Sequence, residues 1–318
     1  ALRTGASCAA WLVAAQAMMP RALRAAFARR PAGAVVAHEP FGRLEALAPG
    51  AWALVSTPFG GDRTTLANGG IVAGRQGVVV IEGLFTAAGA TWLARQARAL
   101  TGRWPTHVVV THHHADHANG LPGYRDRGDG GTPPRVHATE ATRAAVLART
   151  PPPDAVLASA MADAVVLDGV RASTIDLGDR ALRVTPASGH TASDLVVELP
   201  DAHVTFAGDL AWHGVFPNYV DAMPSRWREA VAALPTDAGA RVVPGHGAVM
   251  DAAGVSTWRA LLAEVEQAAR RAHAAGTTAA DAATAWTIPA SLGEWALFGP
   301  AFLPRAFTAW YRELDAAR

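Results

Sequence analysis

The stretch His107–Gly120, HVVVTHHHADHANG, joins a short apolar segment to a dense group of side chains that can bind metal. It holds five of the chain's 12 histidines, together with one aspartate. Val108–Val110 is apolar without alternation, which predicts a strand buried on both faces. The carboxyl ends of such strands are where α/β proteins place their ligands. The stretch therefore predicts a strand that delivers metal ligands or acid–base groups to one edge of a sheet.

Four residues of this stretch are spaced as ligands for two ions. Alternate positions of an extended segment point to the same side, so His112 and His114 can hold one ion while His113 faces away. Asp116 and His117 follow the next turn and can reach a neighbouring ion. Imidazole and carboxylate suit zinc and similar divalent metals. Four ligands cannot complete two coordination spheres, so further histidines or carboxylates are expected at other strand ends.

Three such residues occur downstream, each after an apolar segment and beside glycine. They are His190 in SGHT, Asp209 in FAGD and His246 in VPGHG. Glycine permits the tight turns and close backbone approach that such sites need. The seven residues suffice for two metals that share one carboxylate.

The remaining patterns predict two series of strands and helices. Helices are expected over residues 86–102, 140–149, 225–234 and 255–275, and strands within 52–83, 175–210 and 241–247. This order indicates two mixed sheets packed together, with helices on the outside.

Residues 52–250 resemble the metallo-β-lactamase fold superfamily, on the motif His112-x-His114-x-Asp116-His117 followed by the three downstream ligands. The resemblance implies an α/β (α+β) fold, a four-layer αβ/βα sandwich. It also implies two Zn²⁺ ions, with Fe or Mn as alternatives. The implied ligands of the first metal are His112, His114 and His190; those of the second are Asp116, His117 and His246; Asp209 bridges the two.

Such a centre implies hydrolysis of a small-molecule ester, thioester, lactone or amide by a metal-bridging hydroxide, which Asp116 orients as the catalytic residue. An aspartate at the bridging position resembles the glyoxalase II, lactonase and periplasmic quinoprotein-linked branches rather than true β-lactamases. Two alternatives stay open: β-lactamase-type activity, and a mononuclear iron dioxygenase that oxidises sulfur compounds.

Residues outside the ligand set are assigned from their positions in the chain. His213, Asn218 and Tyr219 follow the bridging aspartate and are candidates to line the substrate pocket. Glu82 stands where the family more often has aspartate, and is expected beside the metal-binding loop. The aromatic segment 286–314 can pack over the site, cover an apolar flank or form a dimer contact.

The N-terminal region resembles an export signal. Arg3 precedes a short apolar run from Ala9 to Met19, too short to span a bilayer. Residues 1–38 are therefore predicted to be an export signal or N-terminal extension, and residues 39–318 one hydrolase domain with a C-terminal helical tail. The expected location is the periplasm or the exterior, with the cytoplasm as the alternative.

The composition excludes several other classes of function. The chain has 318 residues and a net charge of +1, which gives no sign of a nucleic-acid surface. It contains no lysine, so Schiff-base catalysis and the P-loop are excluded. Its single cysteine, Cys8, cannot form an intramolecular disulfide. No stable membrane span is expected, and no pattern indicates an oligomeric state.

Overall fold

The computed structural model describes residues 32–125 and 131–317, which form two β-sheets with helices packed outside them. The first sheet has eight strands, in spatial order the same as their order in the chain. They are β1 (Val35–Glu39), β2 (Gly42–Ala48), β3 (Ala51–Ser56), β4 (Gly69–Ala73), β5 (Val78–Ile81), β6 (His107–Val109), β7 (Arg135–Thr139) and β8 (Val165–Leu167). Strands β1–β5 pair antiparallel, and β5–β8 pair parallel.

The second sheet has five strands, in the order β13-β12-β11-β10-β9. They are β9 (Ser173–Asp176), β10 (Ala181–Ala187), β11 (Asp194–Leu199), β12 (Val204–His213) and β13 (Arg241–Gly247). Only β12 and β13 pair parallel in this sheet, and the other neighbours pair antiparallel. The carboxyl end of β13 therefore lies beside that of β12, which brings two of the predicted ligand segments together.

The described helices cover the outer faces of both sheets. They are α1 (Ala87–Thr101), α2 (Ala115–Ala118), α3 (Glu140–Leu147), α4 (Ala155–Ala162), α5 (Pro224–Ala232), α6 (Ala252–Ala274), α7 (Ala279–Ala285) and α8 (Phe302–Ala316). Helix α1 begins where the Thr86 hydroxyl accepts a hydrogen bond from the Gly89 N–H, and it ends at Gly102 with φ +73°. These are standard start and stop signals, so the helix predicted over 86–102 is confirmed.

Apolar side chains fill three layers between these elements. In β5, Val78 and Val80 pack under the helices of the first sheet, whereas Val79 and Ile81 face the second sheet. A third cluster joins β12 to helices α5, α6 and α8. Successive side chains of a strand point to opposite faces, so a strand buried on both faces must be apolar throughout. The predicted four-layer αβ/βα sandwich is confirmed.

The first described strand adds an edge to the eight-stranded sheet. Strand β1 begins at Val35 and pairs with β2, so the first sheet starts four residues before the predicted boundary at 39. His38 and its neighbours belong to this hairpin, which the sequence pattern does not separate from the preceding segment, and the domain boundary stays a prediction. Residues 1–31 of the predicted export segment 1–38 lie outside the described residues, and the signal stays a prediction. Among the described helices, none is both long and apolar enough to cross a membrane.

Candidate metal centre

Seven side chains from four segments meet at one edge of the two sheets. The loop after β6 and helix α2 supply four, the turn after β10 supplies one, and β12 and β13 supply one each. They form two groups whose potential ligand atoms lie within 4.8 Å of one another. We call them cluster one (His112, His114, His190 and Asp209) and cluster two (Asp116, His117 and His246).

Cluster one surrounds a single point with three nitrogens and one oxygen. His114 Nδ1 lies 3.1 Å from His112 Nε2 and 2.9 Å from His190 Nε2. Asp209 Oδ2 lies 3.2 Å from His190 Nε2 and 3.9 Å from His112 Nε2. These separations are close to the edge of roughly 3.3 Å in a tetrahedral zinc site with bonds of about 2 Å.

Cluster two lies on the other side of Asp209. Asp116 Oδ2 is 3.6 Å from His117 Nε2 and 3.2 Å from His246 Nε2. Asp209 Oδ1 is 3.2 Å from His117 Nε2 and 3.5 Å from His246 Nε2. Asp209 thus presents Oδ2 to cluster one and Oδ1 to cluster two, as expected for a carboxylate shared by two metals.

The donor atoms of these clusters fit divalent metal ions. Both His117 Nε2 and Asp209 Oδ1 are buried, and neither has a hydrogen bond of good geometry to a described residue. Leaving such atoms without partners is costly in a protein interior, and a cation between them removes that cost. Burial also lowers the pKa of His112, and it lowers the pKa of His190 to about 3. Both imidazoles are therefore neutral near pH 7, the form that binds metal.

The charges within cluster two decide the state of its carboxylate. Burial alone would raise the pKa of Asp116, but the charge of His117 and a hydrogen bond from His246 lower it to about 2. Asp116 is therefore ionised at neutral pH. Its side chain is 20% exposed, against 0% for His117 and 3% for His246. Asp116 is thus the group of cluster two that incoming molecules can reach.

Glu82 lies directly behind cluster two, as the sequence predicted. Its Oε1 is 3.0 Å from His117 Nδ1, and its carboxylate also accepts hydrogen bonds from the Thr111 hydroxyl and N–H. The Thr111 hydroxyl lies 3.0 Å from His112 Nδ1. Glu82 has φ +76°, a backbone conformation that non-glycine residues rarely adopt. The bend lets the carboxylate hold His117 with its Nε2 turned towards the cluster.

Asp221 supports cluster one, and no sequence signal identified it. Its Oδ2 lies 2.8 Å from His114 Nε2 and 3.4 Å from His113 Nε2. Hydrogen bonds from His113 and His114 hold the pKa of Asp221 far below its usual range. His113 is thus outside both clusters, as predicted, but it helps to anchor this carboxylate.

The end of strand β13 that carries His246 is held by Asn68. The Asn68 side-chain amide donates to the carbonyl oxygens of Pro244 and Gly247, at 2.8 and 2.7 Å. Between these two residues, Gly245 packs so tightly that a Cβ there would lie 1.8 Å from Asp209 Oδ1. The glycine of VPGHG is therefore required by the close approach of Asp209, which agrees with the role predicted for the flanking glycines.

The three predicted substrate residues do not join the clusters. Strand β12 pairs Trp212 with His246, and the Trp212 ring packs on the His246 ring with centroids 4.2 Å apart. His213 therefore points to the opposite face, where it lines a separate cavity of about 530 Å³. Asn218 accepts hydrogen bonds from Val220 N–H and Arg305, so it braces a loop.

Tyr219 is buried in the core of the second sheet. It is 2% exposed and lies between Phe216 and Trp227, with ring centroids 6.2 and 5.0 Å away. Closeness to Asp209 in the chain does not specify which face a side chain occupies, so the assignment of these three residues to the substrate pocket stays a prediction.

Comparison with known proteins agrees with this geometry. The family model described as the metallo-beta-lactamase superfamily matches residues 63–246, more than half of the chain. The chain belongs to the metallo-β-lactamase superfamily.

Its relatives include a hydroxyacylglutathione hydrolase from Erythrobacter litoralis, 35% identical over 115 residues, or 36% of this chain and 37% of that protein. Among solved structures, the stereoselective inverting sec-alkylsulfatase Pisa1 from Pseudomonas sp. aligns with a TM-score of 0.65 at 16% identity, covering 97% of this chain and 62% of that one. A metallo-β-lactamase from Pontibacter korlensis aligns with a TM-score of 0.55 at 22% identity. That alignment covers 70% of this chain and 99% of the other. At these identities the two structures show the shared fold alone. The chain spans little more than a third of the curated hydrolase and less than two thirds of the alkylsulfatase.

Proposed function

We propose that the protein is a hydrolase that uses two divalent metals, zinc in the first instance, to cleave a small-molecule ester, thioester, lactone or amide. The observation that carries the proposal is the position of Asp209, which turns one carboxylate oxygen to each of two complete ligand clusters. A residue that served one ion would not need both oxygens buried among imidazoles.

The roles of the side chains follow from their atoms. When bound, two such ions lower the pKa of a shared water and polarise the oxygen of the scissile group. Asp116 Oδ2 is ionised and partly exposed, so it can orient the attacking water and accept its proton. Glu82 and Asp221 hold the outer nitrogens of His117 and His114, which keeps each ring aimed at its cluster.

Two alternatives are less well supported. A mononuclear iron dioxygenase needs one ligand group, whereas Asp116, His117 and His246 make a second group of the same compactness as the first. A β-lactamase activity draws only on the shared fold.

Thioester hydrolysis gains support from the 35% identical hydroxyacylglutathione hydrolase, although that match covers a limited part of both chains.

Metal analysis of the purified protein tests the proposal first. We expect about two equivalents of zinc per chain. A panel of lactones, thioesters, β-lactams, phosphodiesters and secondary sulfate esters then assigns the reaction. His114→Ala should abolish hydrolysis and leave the circular dichroism spectrum unchanged. One iron per chain with oxygen uptake, or full activity in His114→Ala, would contradict the proposal.

The location of the protein is a separate proposal. We infer export from the apolar run near the N-terminus, and sequencing of the mature protein's N-terminus tests it. Retention of the first thirty residues in a periplasmic extract would contradict it.

A further inference from the structure

Two aromatic rings from outside residues 63–246 meet beside cluster two. Phe59 belongs to the short turn Pro58–Gly60 between β3 and β4, and Phe298 to the segment before α8. Their rings stack with centroids 4.7 Å apart and an interplanar angle of 14°. We call this pair the aromatic wall. It joins the beginning of the domain to its C-terminal tail, so no local pattern in the sequence indicates it.

The aromatic wall contacts one predicted metal ligand through Phe298. The Phe298 ring meets the His246 ring edge to face, with centroids 5.4 Å apart. Trp212 packs on His246 and lies 6.3 Å from Phe298. Trp212 is 2% exposed, whereas Phe59 and Phe298 are half-buried. The aromatic wall is therefore the part of this apolar group that solvent, or a substrate, can reach.

The charges around the clusters differ from one side to the other. On the side of cluster one, the Asp221 side chain is 47% exposed. On the side of cluster two, the aromatic wall continues into Phe302, whose ring lies 6.0 Å from Phe298. The Arg305 guanidinium lies 5.8 Å from the Phe302 ring, beyond the wall. A substrate thus meets carboxylate on one flank and aromatic carbon on the other.

We propose that the aromatic wall binds an apolar chain of an ester substrate and makes the enzyme prefer long chains over short ones. This inference rests on the proposed hydrolase function and specifies its substrate class. Removing several methylenes from water against aromatic carbon stabilises the complex in proportion to the area buried.

Turnover of two ester series tests the preference. Methyl butanoate and methyl octanoate vary the acyl chain, and butyl acetate and octyl acetate vary the alcohol; acid release is followed with a pH indicator. We expect kcat/KM to be at least about tenfold higher for the eight-carbon member of one series, since four methylenes are partly buried. Equal kcat/KM values along both series would overturn the proposal.

Variants assign the preference to the wall. Phe298→Ala should reduce the ratio of kcat/KM for the eight-carbon ester to that for the four-carbon ester to about one. Phe298→Leu should keep most of this ratio because the apolar area remains. Phe59→Ala is a second variant from the opposite segment, with the same expected loss. Trp104→Ala is the matched control, a half-buried aromatic before β6 at the far end of the sheet, and its ratio should equal that of the wild type. A ratio unchanged in both phenylalanine-to-alanine variants, with their melting still cooperative, would refute the assignment.

A binding measurement separates this inference from the proposed function. Calorimetric titration of the metal-loaded protein with octanoate and butanoate needs no turnover. We expect octanoate to bind at least about tenfold more tightly, and Phe298→Ala to remove that difference. Tight octanoate binding without hydrolysis of any ester, thioester, lactone or amide would support the wall and contradict the hydrolase. If the protein hydrolyses its substrates without any chain-length difference in rate or in binding, the proposed role of the aromatic wall is contradicted and the hydrolase function still stands.

Discussion

Replacing Glu82 by glutamine tests how the buried second layer controls the metal centre. Glu82 Oε1 lies 3.0 Å from His117 Nδ1, and the two side chains are 2% and 0% exposed. The carboxylate favours a proton on Nδ1, which leaves Nε2 free to bind metal in cluster two. Glutamine keeps the size of the side chain but removes the charge, and its amide can donate as well as accept.

The expected loss follows from that burial. Removing an outer partner of a metal-bound histidine costs about 10- to 100-fold in metal affinity, or about 1.4–2.7 kcal/mol. Because water cannot replace the carboxylate, we expect a value near the upper end for cluster two. Cluster one should lose less, since Glu82 reaches His112 only through Thr111.

Competition against a chromophoric zinc chelator measures both binding steps. The zinc affinity of cluster two should fall by about 10- to 100-fold, and that of cluster one should change by less than about threefold. Glu45→Gln is the matched control, because Glu45 is also fully buried but pairs with Arg43 in β2. Wild-type affinity for both zinc equivalents in Glu82→Gln would refute the reasoning, provided that circular dichroism shows a folded protein.

Asp221→Ala should weaken zinc binding through His114 about tenfold, a smaller loss because Asp221 is half-exposed, and Asp221→Asn should recover part of it in the same competition assay. Gly245→Ala would place a Cβ 1.8 Å from Asp209 Oδ1, so elemental analysis should find less than one metal per folded chain; two retained metals would contradict this packing. Burial, aided by nearby basic side chains, lowers the pKa of His137 to about 4. The unfolded chain, with a histidine pKa of about 6.5, takes up this proton first as the pH falls, so the free energy of unfolding should drop by up to about 3 kcal/mol between about pH 6.5 and pH 4. In His137→Gln this drop should shrink in urea titrations, and an identical pH dependence in the variant would disprove the assignment.

The parts of the structure that could be predicted are those with a local cause. The run Val108–Val110 before His112 is apolar because β6 is buried on both faces there, and the helix at 87–101 carries its own cap and stop residues. The ligand motif is readable because three imidazoles and a carboxylate within six residues have few other uses. The downstream ligands then follow from the demand for complete coordination spheres.

Other features depend on contacts between distant segments. Asp221 is separated from His114 by 107 residues, and Asn68 from Pro244 by 176. The face of the sheet that His213 occupies is decided by the pairing of β12 with β13, which neighbouring residues in the sequence do not reveal. Likewise the sequence of the aromatic segment 286–314 is compatible with several surfaces, and only the structure places Phe298 beside His246.

The sequence by itself thus indicated the sandwich and the seven candidate ligands, while their division into two groups came from the resemblance to the superfamily. The reason is that burial periodicity and ligand chemistry are properties of single segments. Only the tertiary structure decided that Asp209 turns one oxygen to each group, that Glu82 and Asp221 hold the rings, and that aromatic carbon borders cluster two. These features depend on the directions of side chains and the distances between them. They arise only when the two sheets pack together, so no single segment of the sequence specifies them.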